Sequence, residues 1–215
     1  MHKLSVAAFV ACFLLTGCGA PTKTNINVPF TSQAPSGDWS EPWQNACEET
    51  SIYMVSSFYA NNPIKRDEAV LKIKAILKVK NDKIKVSKDE SLATISQLIV
   101  DLDLPWTTKL VSDPTKDILK NELAAGHPII VPVYAPDLKN PHYDAFSPDY
   151  HVFVLTGYDD TDGVFIVNDP GTKNGEGLRF PYDTLVSAIH DLDSKNYAAG
   201  KKAVLFTEQK DLLKW

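Results

Sequence analysis

The sequence predicts an α+β fold in which helices come first along the chain and an antiparallel sheet follows. Three observations support this prediction. Apolar residues recur at helical spacing through much of the segment 46–125, and apolar runs of strand length dominate from residue 128 onward. The composition, with 44% hydrophobic and 23% charged residues, is ordinary for a globular protein. Disordered, collagen-like and disulfide-dense classes are therefore excluded, and we expect one domain.

The first residues of the chain are typical of an export signal. Met1-His2-Lys3 is a short basic start, and residues 4–15 form an apolar run that is too short to span a bilayer. The run ends in Leu15-Thr16-Gly17-Cys18, which resembles the bacterial lipobox, a leucine and two small residues before the cysteine that receives lipid. We therefore expect residues 1–17 to be removed as a lipoprotein signal peptide.

This processing would leave Cys18 as the lipidated first residue and would anchor the protein to the bacterial membrane, in the cell envelope. Residues 18–27 are polar and lack periodicity, which predicts a tether, and residues 28–210 are expected to form the domain. The net charge is −5, so the surface offers no positive field for anionic lipid or nucleic acid. We expect membrane attachment through the lipid at Cys18, no nucleic-acid partner, and a monomer.

Four helices are predicted before the sheet. Ser87 and Glu90 form a capping box for the third helix. Pro114 is expected at the first position of the fourth helix, and Gly126 is expected to end it. The predicted helices are residues 46–59, 65–78, 88–101 and 113–125.

The pattern changes to that of strands after this helical region. Residues 128–134 read as a buried strand, and residues 151–158 and 163–168 read as a hairpin closed by residues 159–162. A short helix over 182–190 and a last strand over 203–207 complete the prediction.

Cys47 is the one cysteine that would remain as a free thiol, because Cys12 leaves with the signal and Cys18 carries lipid. An unpaired cysteine in an exported protein is either a buried apolar residue or a reactive thiol. Its place in the first turn of a predicted helix favours the thiolate. Glu48 and Glu49 oppose that effect by raising the pKa of the thiol, so position alone does not decide.

His151 and Asp169 are candidate partners of this thiol. His151 begins a predicted strand and Asp169 follows the next strand of the same hairpin, so the carboxylate could orient the imidazole. Taken singly, His151 could be a surface or capping residue. Asp169 could equally be a turn residue, because Asn-Asp-Pro-Gly is a good turn sequence.

The order of a helix-borne cysteine, a strand histidine and an aspartate after the next strand resembles the papain-like cysteine peptidase superfamily. Four local sequences are more similar to its bacteriocin-processing, double-glycine leader peptidase-like branch. They are VPFTSQAP from Val28, NACEETSIYM from Asn45, HVFVLTGYDD from His151 and VNDPGT from Val167. The resemblance covers about residues 28–171, and the middle helices carry none of it.

The resemblance implies a papain-like fold and a catalytic triad. Cys47 would be the nucleophile, His151 the general base and acid, and Asp169 the orienting residue. Gln33 would match the glutamine that stabilises the oxyanion together with the backbone N–H of the cysteine. Many members have glycine and proline after the cysteine, whereas this chain has Glu48 and Glu49.

Two alternatives stay open within this site. The stretch from Gln33 to Cys47 is longer than the resemblance leads us to expect, so Gln44 is a rival for the oxyanion role. Asn168 is a rival third member of the triad, because papain itself uses asparagine, although its strand position should turn it away from Asp169.

Other chemistry has weaker support in the sequence. His127 follows a helix stop and is expected to contact the end of that helix. His142 lies in a loop with Tyr143 and could line a cleft, but neither histidine has a second ligand at metal-binding spacing. No phosphate loop or dinucleotide fingerprint is present, so we expect neither cofactor nor metal.

The sequence thus favours an exported, lipid-anchored thiol hydrolase that cleaves a peptide or amide bond through an acyl-enzyme. The substrate could be a peptide, an envelope protein or a peptidoglycan cross-link. Two other functions remain possible: a catalytically inactive binding or scaffold lipoprotein with the same fold, and an acyl- or peptidyl-transferase.

Overall fold

The computed structural model describes residues 21–84, 87–140, 143 and 148–211. The expected signal peptide, Cys18 and His142 lie outside these residues. Within them the chain forms five α-helices and seven β-strands. None of the described helices is long and apolar enough to cross a bilayer.

The helices and strands take the following bounds. The helices are α1 (Cys47–Tyr59), α2 (Arg66–Lys83), α3 (Leu92–Asp101), α4 (Lys116–Ala124) and α5 (Tyr182–Ala188). The strands are β1 (Lys23–Asn25), β2 (Trp106–Ser112), β3 (Ile129–Tyr134), β4 (Tyr150–Asp159), β5 (Val164–Asn168), β6 (Leu178–Pro181) and β7 (Ala203–Gln209).

The strands form one sheet in which every pair is antiparallel. Six strands follow the order β2-β7-β3-β4-β5-β6, and β1 pairs with β4 outside this path. The β4–β5 pair is the predicted hairpin, and its register shifts between Leu155 and Gly157. A side chain on Gly157 would collide with the backbone of β1 at Thr24, so β1 can approach β4 only over a glycine.

Strand β4 lies at the centre of the molecule and is buried along its whole length. Its side chains alternate between two cores, as the geometry of a strand requires. Val152 and Val154 pack with α1, α2 and α3 on one face. Phe153 and Leu155 pack with α4 and α5 on the other face. Helices therefore cover both faces of the sheet, and the start of β4 lies beside the first turn of α1.

The predicted helices all exist, but two begin later than their sequence signals indicated. Ser91, rather than Ser87, caps α3 by accepting a hydrogen bond from Thr94 N at 3.3 Å. The Ser87 hydroxyl does bond the Glu90 carboxylate, but this pair lies in the loop before the helix. Thr115 likewise caps α4, so the prediction of Pro114 at its first position was wrong.

Three strands were missed because their sequences lack a strong strand pattern. In β2 Trp106 alone is fully buried, and in β6 a single residue is buried among four. Strand β1 has the sequence Lys-Thr-Asn, lies within residues 18–27, which are expected to form the tether, and pairs with β4. Backbone pairing holds these strands, and apolar periodicity cannot reveal it.

Candidate active site

Cys47 is the first residue of α1 and is buried. A single 3-10 turn, Trp43–Asn45, leads into it. Its backbone N–H has no backbone acceptor among the described residues, as expected for the first turn of a helix. The helix packs on β4, where Ser51 Oγ donates a hydrogen bond of 3.4 Å to Val152 O. These contacts place the Cys47 amide and thiol beside the start of β4.

The Cys47 thiol is hydrogen-bonded to its neighbour in the chain. Its Sγ donates to Glu48 Oε2 at 3.1 Å, and no hydrogen bond joins it to His151 in the described part of the structure. Burial raises the pKa of the thiol well above its usual range, and the charge and hydrogen bond of Glu48 raise it further. The backbone N–H of Val152 opposes this rise only in part. The thiol is therefore protonated at neutral pH in this arrangement.

Glu48 is itself buried, with only 1% of its surface exposed. Its Oε1 accepts a hydrogen bond from the backbone N–H of Glu90 at 2.9 Å, while Oε2 faces the thiol. Burial, and then the charge of Glu49, raise the pKa of Glu48 to about 8. Glu48 thus links the Cys47 thiol to the segment before α3.

Glu49 points to a different partner. Lys80 on α2 pairs with Glu49 Oε1 at 2.7 Å and with Glu90 Oε1 at 3.6 Å, and all three side chains are nearly inaccessible. Burial raises the pKa of Glu49 in spite of this ion pair. Burial alone would lower the pKa of Lys80, but the surrounding carboxylates, Glu49 foremost, raise it. This pair holds α1 against α2 and does not touch the thiol.

His151 and Asp169 are brought together by the hairpin. His151 Nε2 lies 2.6 Å from Asp169 Oδ1, and both side chains are buried. The other ring nitrogen, Nδ1, has no hydrogen-bond partner among the described residues. Asp169 therefore holds the imidazole through Nε2 and fixes the orientation of the ring.

Asp169 is surrounded by hydrogen-bond donors. Besides His151, it accepts from Tyr143 Oη at 2.6 Å, from Gly171 N at 2.8 Å and from Asn140 Nδ2 at 3.4 Å. Burial alone would raise the pKa of Asp169, but the charge of His151 and these donors hold it below its ordinary value. Asp169 is thus a carboxylate at neutral pH, as an orienting group for an imidazole must be.

Gly171 fixes how closely the backbone approaches this pair. A Cβ at this position would lie 2.8 Å from His151 Cε1 and 3.1 Å from Asp169 Oδ1. Such contacts are too short for carbon, so the loop after β5 can wrap around the imidazole only with glycine here.

Cys47 and His151 reach the start of β4 from different sides. The sulfur lies against the backbone of Val152, within the core formed by α1, α2 and α3. The imidazole contacts the rings of Tyr143 and Phe153, with centroids 5.8 and 6.3 Å away, on the side of the second core. The structure therefore places both groups at one end of one strand, but with the sulfur turned toward Glu48.

Gln33 is buried beside both parts of the site. Its backbone N–H donates to Pro170 O at 2.9 Å, next to Asp169, and its Nε2 donates to Trp43 O at 2.9 Å, just before α1. Oε1 has no hydrogen-bond partner among the described residues. By contrast, the rival Gln44 is exposed and donates to Glu41 Oε1 at 2.6 Å. Gln33 therefore lies between the segment that precedes α1 and the loop that follows Asp169.

Asn168, the rival for the orienting role, faces away from His151. Its Nδ2 donates to Val28 O at 2.8 Å and its Oδ1 accepts from Gly177 N at 3.1 Å. The asparagine connects β5 to the N-terminal segment and to the loop before β6. The next residue, Asp169, is the one that contacts the imidazole.

The remaining candidates lie elsewhere or hold no ligand. His127 Nδ1 lies 2.9 Å from Glu122 Oε1, and its backbone N–H donates to the carbonyl of the same residue near the end of α4, as expected. In the described ranges, no three or more His, Cys, Asp or Glu side chains are grouped as metal ligands. Sequence reasoning missed Tyr143 and Asn140 as donors to Asp169, and Glu48 as the partner of the thiol. The order of residues alone carries no signal for Tyr143 or Asn140.

A family model described as the peptidase C39 like family matches residues 25–200. The chain belongs to this family. The match extends beyond residues 28–171, and it includes α2 and α3, whose sequences carried no recognisable motif. No curated protein sequence matches the chain.

Two solved structures are similar to the chain. One is described as a C39-like peptidase from Bacillus anthracis, with a TM-score of 0.57 and 16% identity over 87% of this chain and 98% of that chain. Xylellain, a cysteine protease from Xylella fastidiosa, has a TM-score of 0.46 and 15% identity over 89% of this chain and 87% of that one. The first likeness supports the fold and the second is too weak to add to it. The α+β, papain-like fold predicted from the sequence is confirmed.

Proposed function

We propose that this chain is an exported, lipid-anchored cysteine hydrolase that cleaves a peptide or amide bond with Cys47, His151 and Asp169. The observation that carries this proposal is the 2.6 Å contact between His151 Nε2 and Asp169 Oδ1 beside a helix that begins with Cys47. An imidazole held in this way has Nδ1 available to take the proton of a thiol. Membership of the peptidase C39 like family supports the same chemistry.

The proposed reaction proceeds in two stages. The Cys47 S–H bond breaks as its proton passes to His151 Nδ1, and the thiolate attacks the substrate carbonyl. The Cys47 N–H and Gln33 Nε2 stabilise the oxyanion, and the C–N bond breaks as the imidazolium gives its proton to the leaving amine. His151 then takes a proton from water, the resulting hydroxide attacks the thioester carbonyl and the C–S bond breaks. The imidazolium returns the proton to the Cys47 sulfur, which restores the thiol.

The substrate and the location are part of the proposal. We propose a peptide or a peptidoglycan cross-link as substrate, and attachment to the membrane through a lipid on Cys18. Support for the anchor comes from the apolar run that ends in Leu-Thr-Gly-Cys and from a net charge of −5, which leaves the lipid as the means of attachment. We propose a monomer that needs neither cofactor nor nucleic acid.

The peptidase activity is tested on a library of short peptides and on peptidoglycan fragments, with new amino termini identified by mass spectrometry. We expect products from the wild-type protein and none from Cys47→Ala or His151→Ala. A protein that folds but gives the same products after Cys47→Ala would overturn the proposed nucleophile.

The anchor is tested by metabolic labelling with an alkyne fatty acid in a bacterial host. Cys18→Ala should lose the label and leave the membrane fraction. Cys12→Ala is the matched control, because that residue would be removed with the signal peptide. This variant should keep the label and stay in the membrane fraction. Equal labelling of the two variants would contradict the lipid site.

One observation favours a second function, a binding or scaffold lipoprotein without activity. The Cys47 thiol is bonded to Glu48 and its pKa is raised, so the nucleophile is not ionised in this arrangement. The peptide library distinguishes the two functions. A folded wild-type protein that yields no product, but retains peptides or glycan fragments on a column, would favour the binding module.

A further inference from the structure

Glu48 is a buried, ionisable group that contacts the nucleophile and takes no part in the proposed reaction. One carboxyl oxygen lies 3.1 Å from Cys47 Sγ, and the other is fixed by the backbone of Glu90 at 2.9 Å. The carboxyl group is therefore held from both sides and cannot turn away from the sulfur without breaking a buried hydrogen bond.

We propose that Glu48 is a positioning residue, which holds the Cys47 thiol in a protonated resting position from which the sulfur must turn toward His151 before it reacts. This inference rests on the proposed function. It explains why the Cys47 thiol bonds the carboxyl group of Glu48, although the imidazole of His151, which Asp169 orients, lies at the start of the neighbouring strand β4.

The proton balance of this step is simple. In the resting position the sulfur keeps its proton and donates it in a hydrogen bond to Glu48 Oε2. When the side chain of Cys47 turns, that hydrogen bond breaks and the S–H proton passes to His151 Nδ1. The product is a thiolate beside an imidazolium, whose charge Asp169 balances.

Several charged and titratable groups surround Glu48, so the charge of its carboxyl group should affect the reactivity of Cys47. Cys47 and Glu49 lie beside it on α1, and Lys80 faces it from α2. Glu90 contributes its N–H, and the Tyr150 hydroxyl donates to the carbonyl of the same residue at 2.9 Å. The Lys80 ammonium group pairs with Glu49 and Glu90, whereas Glu48 contacts the sulfur directly, so a change of charge at Glu48 acts on the thiol at close range.

Glu49 provides a matched control within the same helical turn. It is buried to the same degree and has the same side chain, but its carboxyl group pairs with Lys80 and not with the thiol. Its charge also raises the pKa of Cys47, although less than that of Glu48. Both residues act on the thiol through their charge, but only Glu48 bonds it, so an effect of Glu48 that depends on His151 distinguishes a positioning role from a purely electrostatic one.

The experiment measures the rate at which iodoacetamide alkylates Cys47 in the full chain between pH 5 and 10, with the Cys47 peptide resolved by mass spectrometry. In Glu48→Gln, the side-chain Nε2 amide group can face the sulfur and donate, so the pH at which alkylation reaches half its maximal rate should fall by about one unit or more. Glu49→Gln should move it by less, and the exposed Glu208→Gln should not move it. Identical profiles for wild type and a folded Glu48→Gln would overturn the proposal.

A second variant tests whether the sulfur is released toward His151. Adding His151→Ala should leave the wild-type profile nearly unchanged, because the resting thiol is bonded to Glu48. In the Glu48→Gln background the same substitution should raise the half-maximal pH again. An equal effect of His151→Ala in both backgrounds would contradict a resting position.

Folding and the proposed activity are separated by design. If Glu48→Gln does not fold, Glu48→Asp keeps the charge but withdraws the carboxyl group by one methylene. Its profile should lie below that of wild type, and an unshifted profile would count against the proposal. Alkylation needs no substrate, so failure of the peptide library would leave this result standing.

Discussion

Two buried carboxyl groups flank the proposed site, one on the sheet and one on the helix. Asp169 follows β5 and accepts four hydrogen bonds, which together with the charge of His151 hold its pKa below the ordinary value. Glu48 lies in the first turn of α1, where it faces a weak thiol donor, one backbone N–H and the charge of Glu49. Its pKa is raised to about 8.

The comparison teaches that burial does not decide the charge of a carboxyl group at this site. Both groups are almost fully inaccessible, so the penalty of removing a charge from water applies to each. The number and strength of the donors, and the sign of the nearest charge, separate the two. The sheet side of the site is therefore charged at neutral pH, while the helix side retains protons.

The largest expected effect follows from removing the charge on the sheet side. Asp169→Asn keeps the shape of the side chain, but an amide cannot balance an imidazolium and can present its NH₂ to His151. We expect the rate of peptide cleavage to fall by up to about 10⁴-fold, the loss seen when a triad aspartate becomes asparagine. Steady-state kinetics on a substrate from the peptide library measures this.

Asn168→Ala is the control for this change, since it alters the neighbouring residue. It removes the hydrogen bonds to Val28 O and Gly177 N, so the free energy of unfolding should fall by about 1–3 kcal/mol. The rate of cleavage by the folded protein should stay near that of wild type. A comparable loss of rate in both variants would mean that the loop, rather than the Asp169 charge, is what matters.

The next-largest effect is on the free energy of unfolding, whose dependence on pH should have opposite signs for Glu48 and Asp169. Because the pKa of Glu48 rises from 4.5 to about 8 on folding, its contribution is fully present below pH 4.5 and is lost as the pH rises through 8. The pKa of Asp169 falls below 3.8, so its contribution is present above that pH and is lost as the pH falls.

Urea unfolding between pH 3 and 9 measures this difference. We expect Glu48→Gln to remove about 4 kcal/mol of the decline in unfolding free energy between pH 5 and 8.5, at roughly 1.4 kcal/mol per pKa unit. Asp169→Asn should leave that decline in place and weaken the loss of stability below pH 4. A decline that persists unchanged in Glu48→Gln would show that other groups cause it.

Much of the fold follows from the sequence where side chains carry the pattern. The core strands β3, β4 and β5 are runs of apolar residues, and their spacing predicts the central hairpin. Strands β1 and β2 escaped prediction because they are held by backbone pairing at positions where most side chains are not fully buried. Apolar periodicity reports burial, and it is silent where a strand contributes hydrogen bonds alone.

Some contacts of the candidate site can likewise be predicted from the sequence, and others cannot. The sequence indicates that His151 and Asp169 are neighbours, because a hairpin brings the start of one strand beside the end of the next. It also predicts that Asn168 faces elsewhere. The bond between Cys47 and Glu48 could not be predicted, because it depends on Glu90, which is 42 residues away in the chain. The sequence indicates that Glu48 and Glu49 disfavour the thiolate, but it does not indicate which groups they contact.

The smallest effect concerns a single donor on the sheet side. The Tyr143 hydroxyl donates to Asp169 Oδ2 at 2.6 Å, and Tyr143→Phe removes this bond while keeping the ring against His151. A hydrogen bond to a charged group is worth about 1.5–3 kcal/mol, so we expect a loss near 1.5 kcal/mol at pH 7 and a few-fold lower rate of cleavage. With one donor fewer, the pKa of Asp169 should rise, and the midpoint of acid unfolding should move to higher pH.

Tyr59→Phe is the matched control, because its hydroxyl lies 2.9 Å from the neutral Thr207 Oγ1, far along the chain from the site. Tyr59→Phe should lower the free energy of unfolding by about 1 kcal/mol. It should shift the midpoint of acid unfolding only as far as this loss of stability requires. If the two variants move the midpoint equally for equal loss of stability, the low pKa of Asp169 does not depend on Tyr143, and the contrast with Glu48 rests on His151 and the backbone of Gly171.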